Sequence, residues 1–189
     1  LQRAEEFFWR FCDDYLELVK ARAYRDDDPT ATSARVALRL AVSTLLRLFA
    51  PIVPYVTEEV WSWCQTPDGP LPGFTSGSIH RAAWPTSGEL RAMVGDGPST
   101  DGVPSPLVVA ADVLSRIRKA KSDAKVSQRA EVSLVTVTDT SDRLIALAAA
   151  EGDVKAAGSV TELATAALDG SGEAKIEVVL APVPEADPA

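Results

Sequence analysis

Two sets of basic side chains recur at helical spacing. Arg116, Arg118, Lys119, Lys121 and Lys125 crowd one segment, and Arg118, Lys121 and Lys125 share a face at three- and four-residue intervals. Arg35, Arg39 and Arg47 repeat at multiples of four, on one face about 120° wide, with no acid between residues 33 and 50. Cations aligned in this way suit a phosphate backbone, because each contact releases condensed counterions. The competing readings are a solvated face shielding a sheet for the first set, and ion pairing with acids of the first helix for the second. Phe7, Phe8, Trp9, Phe11 and Tyr15 offer rings on which unpaired bases can stack. Five aromatics in nine residues wrap too much of a helix to be spared from packing. Most of them must be core, and Phe7 and Trp9, off the main stripe, are the two open to exposure.

Other chemistry is thin. His80 sits beside Arg81 and Trp84 with no second histidine or cysteine nearby, so it forms no metal set and activates no nucleophile. The acid pairs Asp13–Asp14, Asp26–Asp28 and Glu58–Glu59 are sequence neighbours, and adjacent helical residues point about 100° apart, so they do not converge as acid and base. GDGPSTDG at 95–102 lacks the Lys-Ser/Thr of a phosphate-binding loop and reads as linker. Cys12 and Cys64 form no CxxC pair, which fits buried free thiols in a reducing cytosol.

The elements that must carry these residues follow from periodicity. Residues 1–25 read as one amphipathic helix with Phe8, Phe11, Cys12, Tyr15 and Val19 inward. It opens with no cap residue, as in a piece cut from a longer chain. Ser33 is placed to cap a second helix running to Ala50, with Leu38, Val42, Leu45 and Phe49 as its stripe. Pro51 and Pro54 end that helix, and Thr57 caps a third, about 57–65, with Glu58 and Glu59 in its first turn. Residues 65–78 read as loop and SIHRAAWP as a short extended piece. From Leu107 a helix turns Val109, Val113, Leu114 and Ile117 inward. A strand at 130–139 alternates Val132, Leu134 (or Val135) and Val137. A helix at 141–152 stops at Gly152, and further strands fall at 158–163 and 174–183. The organisation is therefore a helical half at 1–90, a linker at 91–105, a small α+β part at 106–183 and a disordered tail at 184–189.

At 189 residues, 46% hydrophobic and 24% charged, the chain can bury a real core. No apolar run reaches the roughly 18 residues that span a bilayer, so no membrane role is expected. The net charge of −8 argues against nonspecific nucleic-acid binding, DNA included. That charge is uneven: residues 106–128 hold five bases and two acids, whereas 129–189 hold four and eleven. A local basic face can still grip RNA, because phosphate contacts act over a Debye length of roughly 8–10 Å.

LLRLFAPIVPYVTEEVW at 45–61, FFWRFCDDYLELVKARAY at 7–24, SIHRAAWP at 78–85 and VLSRIRKAKSDAKVSQRAEV at 113–132 together resemble one family. In this order and spacing they are similar to the C-terminal anticodon-binding region of valyl-tRNA synthetases, which belong to class I of the aminoacyl-tRNA synthetases. The resemblance implies a mainly α fold, a helical-bundle portion followed by a small α+β subdomain. It implies a valine-accepting tRNA as partner, together with catalytic and editing domains of the same longer chain, and a cytoplasmic ligase. ATP and Mg²⁺ would be used on that separate catalytic domain. No His-Ile-Gly-His motif is present, and KAKSD at 119–123 only loosely resembles the family's mobile lysine loop because it continues a helix. The 189 residues alone are expected to be non-catalytic and to hold no cofactor or metal. They are also expected to lack the first helices of the bundle and the basic C-terminal arm. The alternatives are the equivalent region of an isoleucine or leucine enzyme, or a helical interaction module outside the synthetases.

Overall fold

The computed structural model describes residues 2–26, 29–94, 104–168 and 173–182. Contacts divide the chain into two compact units, Leu1–Phe11 with Arg22–Ser99, and Cys12–Ala21 with Thr100–Ala189.

The helix expected at the start is α1 (Gln2–Arg10), a π-helical segment (Phe11–Leu16) and α2 (Glu17–Ala23). The π-helical segment breaks the simple wheel. Phe11, Leu18 and Val19 are buried, while Cys12 and Tyr15 are only half-buried and Phe7 and Trp9 stand exposed.

In the first unit, α3 (Ala31–Phe49) begins two residues before the expected cap, so Ser33 lies inside it. The Phe49 carbonyl accepts from both Ile52 and Val53 N–H, at 2.9 Å each, and Pro54 opens α4 (Pro54–Trp63). Proline suits a first helical position because its missing N–H would have no partner there. Thr57 is therefore not the cap. Its hydroxyl donates to Val53 O (2.9 Å) and Pro54 O (3.1 Å) from inside the helix. Glu58 reaches out instead, accepting from Ser78 Oγ (2.9 Å) and Ile79 N–H (3.0 Å). The loop holds a two-residue antiparallel ladder, β1 (Gln65–Thr66) with β2 (Gly69–Pro70). SIHRAAWP is not simply extended, because Ile79–Arg81 form a 3-10 turn before the chain straightens at Ala82. Ala50, Trp61, Phe74 and Ile79 make the core, with the Trp61 and Phe74 rings 4.8 Å apart. Trp61 Nε1–H donates to Gly77 O at 3.0 Å, which satisfies its one polar atom. A further helix, α5 (Ser87–Val94), was not expected.

In the second unit, α6 (Pro106–Asp123) turns Val109, Val113, Leu114 and Ile117 inward as expected. It lies against α7 (Ser141–Ala148), α8 (Glu151–Gly158) and β5 (Lys175–Leu180). The central strand β3 (Val132–Asp139) pairs parallel with β4 (Val160–Ala167) and antiparallel with β5. A parallel neighbour requires a crossover, and α7 with α8 provides it. The register shifts between Val132 and Leu134, so Val132, Val135 and Val137 are all buried while Leu134 is not. Gly152 does not end a helix but lies within α8, and the stop comes at Ser159, left-handed at φ 52°.

The expected tail at 184–189 and the middle of the expected linker, 95–103, lie outside the described residues. Residues 91–94 of that linker belong to α5. Among the described residues no helix is long and apolar enough to cross a membrane.

Candidate nucleic-acid interface

The basic residues divide into internal clamps and outward cations. In the first unit, Arg35 projects from the first turns of α3 and is only half-buried. Its Nε donates to Ala23 O (2.8 Å), and its Nη2 donates to Arg25 O (3.2 Å) and Asp26 Oδ1 (3.0 Å). It therefore ties the chain after α2 to α3. Arg47, three turns on, is 8% exposed. Its guanidinium forks onto Glu89 of α5, Nη1 to Oε2 at 3.1 Å and Nη2 to Oε1 at 2.9 Å, with Ser43 O and Ala83 O accepting as well. Donation from Arg47 holds the Glu89 carboxyl below its ordinary range. Arg47 is thus a buried structural pair rather than a phosphate ligand. Arg39 is exposed and has no side-chain partner among the described residues.

The second unit shows the same division. Arg118 Nη1 donates to Asp13 O at 2.8 Å, and Nη2 lies 3.8 Å from Glu17 Oε2. Asp13 lies within the π-helical segment, so Arg118 braces that turn. Lys121 is 1% exposed, and its Nζ donates to Gln128 O (3.0 Å) and Gly158 O (2.8 Å). Burial pushes its ammonium pKa down, and no carboxylate is among its hydrogen-bond partners. The face shared by Arg118, Lys121 and Lys125 is therefore not a solvent face: one member is buried and another is paired. Lys119 and Lys125 are exposed and without side-chain partners among the described residues. Lys125 closes α6 in a left-handed cap, φ 55°, with Val126 N–H reaching back to Lys121 O and Lys125 N–H to Ser122 O.

Two further exposed cations, Arg116 and Arg129, join Lys119 and Lys125 on the surface of this unit. Arg116 stands in the basic run but off its shared face, and Arg129 is not singled out by the sequence pattern. Arg116 does not fall on the three- and four-residue stripe, and Arg129 lies past the helix end where no period applies. A cavity of about 350 Å³ lies beside the clamp, lined by Glu17, Leu114, Arg118, Lys121 and Gln128 among others.

Among the described residues, the remaining polar groups do not converge as acid, base and nucleophile. His80 Nε2 stands 3.9 Å from Glu58, at an exposed turn. Burial pushes the Cys64 thiol up, and burial with the Asp13 carboxylate does the same for Cys12, so neither is an activated nucleophile.

Residues 1–136 match the family described as "Anticodon-binding domain of tRNA ligase". The chain is 48% identical to the valine–tRNA ligase of Salinispora tropica over 89% of its own length, and 47% identical to that of Thermobifida fusca over 96%. It is 39% identical to the valine–tRNA ligase of Leifsonia xyli over 98%. In each case it spans about a fifth of the relative, 20%, 19% and 19%. With more than two thirds of its length matched, including the whole proline joint and the basic helix, the chain belongs to the anticodon-binding domain family of tRNA ligases.

Proposed function

We propose that these residues are the tRNA-gripping region of a valine–tRNA ligase, a cytoplasmic enzyme that attaches valine to its tRNA at the expense of ATP. The reading rests on identities of 39–48% with valine–tRNA ligases across most of the chain. That shared name favours valine over the isoleucine and leucine alternatives. Catalysis, ATP and Mg²⁺ belong on this reading to a separate domain of the longer polypeptide, and editing to another. The region's own task is positioning. Arg39 in one unit, and Lys119, Lys125, Arg116 and Arg129 in the other, meet tRNA phosphates. Holding the anticodon arm presents the acceptor end to the distant active site, and specificity comes from base-edge contacts. Arg35 and Arg118 serve mainly as braces, and Arg47 and Lys121 as internal clamps.

The test is a titration with valine tRNA, and with a copy whose anticodon bases are replaced, at two salt concentrations. Arg39→Ala and Lys119→Ala should weaken both tRNAs alike and lower the salt slope by about 0.7–0.9 for each phosphate no longer neutralised. Native tRNA binding more tightly than the altered copy would place base readout within this region. Unchanged affinity and slope in both variants would overturn the assignment of these cations.

A further inference from the structure

One helix in the first unit carries bulky apolar side chains on two opposite sides. Thr57 and Trp61 of α4 face the core, whereas Tyr55 (91% exposed), Val56 (56%) and Trp63 (67%) face outward. Val56, Glu59 and Trp63 are spaced by three and four, so they share one face. Ile52 and Val53 of the adjoining joint are also about half exposed. The surface is held in shape. Both joint N–H groups bind Phe49 O, proline fixes the first helical residue, and Trp63 Nε1–H donates to Glu59 Oε1 at 3.1 Å. Large apolar side chains grouped on an exposed surface mark an interaction site.

Charge identifies the kind of neighbour. Residues 48–79 contain Glu58, Glu59 and Asp68 and no lysine or arginine, so α4 itself offers a phosphate backbone carboxylates and no cation. A second copy in a two-fold dimer would bring the same face, Glu59 included, against itself at a like-charge cost. The relatives are about five times longer than the region they share with this chain, which leaves ample protein to cover the patch. We propose that Ile52, Val53, Tyr55, Val56 and Trp63 form the docking surface for another part of the ligase polypeptide, an apolar surface carrying a basic group opposite Glu59. This inference rests on the ligase reading above.

Side-chain labelling by photogenerated carbene tests it, comparing the 189-residue chain with the gene's full-length product, whose valine charging is measured in parallel. Labelling of Tyr55, Val56 and Trp63 should fall about fivefold or more in the longer protein, as exposed groups enter an interface core. Tyr24, 85% exposed and away from α4 in sequence, serves as the reference. Val56→Glu should restore labelling and lower the melting temperature of the full-length product while leaving that of the short chain unchanged. Charging activity without protection would overturn the docking surface alone. Absence of charging would overturn the ligase reading and this proposal with it. Protection that appears only with added tRNA, or that grows with concentration of the short chain, would assign the face to RNA or to a second copy and overturn the proposal.

Discussion

Arg47 and Lys121 both resemble solvent-facing cations in the sequence and are both buried, and each makes the stability of its unit rise with pH, in a different pH window. Glu89 titrates below its ordinary 4.5 because Arg47 donates to its charged form. A depressed carboxyl pKa contributes stability that is present above 4.5 and lost as pH falls through the lower folded value. Acid titration followed by circular dichroism should show the first unit weakening below that point. Glu89→Gln should remove the dependence and cost about 2 kcal/mol, the scale of a hydrogen bond to a charged group. Lys121 titrates below its ordinary 10.5 because burial disfavours the ammonium. The unfolded chain then holds more protons in the window just beneath 10.5, so stability rises with pH across it. A neutral amine still has two N–H groups for Gln128 O and Gly158 O. Lys121→Met should flatten that rise and cost about 2 kcal/mol by orphaning both carbonyls, as read from denaturant midpoints against pH.

Helices and strands with strong apolar periods were legible from local spacing. The inward side of α6, the central strand and β5 all fall where the pattern placed them. What local spacing lacked was any knowledge of neighbours. Arg47 finds its acid forty-two residues away on α5, a helix of eight residues with no apolar stripe to announce it. Lys121 shares its helical face with two surface residues but meets the carbonyl at the end of α8. The open choice between Leu134 and Val135 came from a bulge, which breaks the period of two. Gly152 read as a stop because glycine favours helix ends, yet it lies within α8 with open space around it. The demanding glycine is Gly158, where a Cβ would meet Ile117 Cδ1 and Val160 Cγ2 at 2.9 Å each. Both neighbours are buried and have little room to yield. Gly158→Ala should therefore cost about 1–3 kcal/mol, whereas Gly152→Ala should gain about 0.4–1 kcal/mol, each read as a shifted urea midpoint at constant slope.

At the scale of the whole molecule, net charge is a poor guide to the interface. A chain at −8 keeps exposed cations in both units, Arg39 in one and Arg116, Lys119, Lys125 and Arg129 in the other. On the proposed reading, tRNA binding through them should weaken as salt screens them. The candidate site was half legible: helical spacing pointed to two basic helices but not to which of their cations reach solvent, because exposure is set by packing across the fold. The tryptophans carry one more consequence. All four, Trp9, Trp61, Trp63 and Trp84, lie within the residues of the first unit. Only Trp61 is buried. Tryptophan emission, excited clear of Tyr15 in the second unit, is thus a reporter of one unit alone, in which iodide should silence three emitters and leave a blue-shifted fourth. Unfolding of the sheet-bearing unit would pass unseen in that channel, so a single fluorescence melt describes half of this protein.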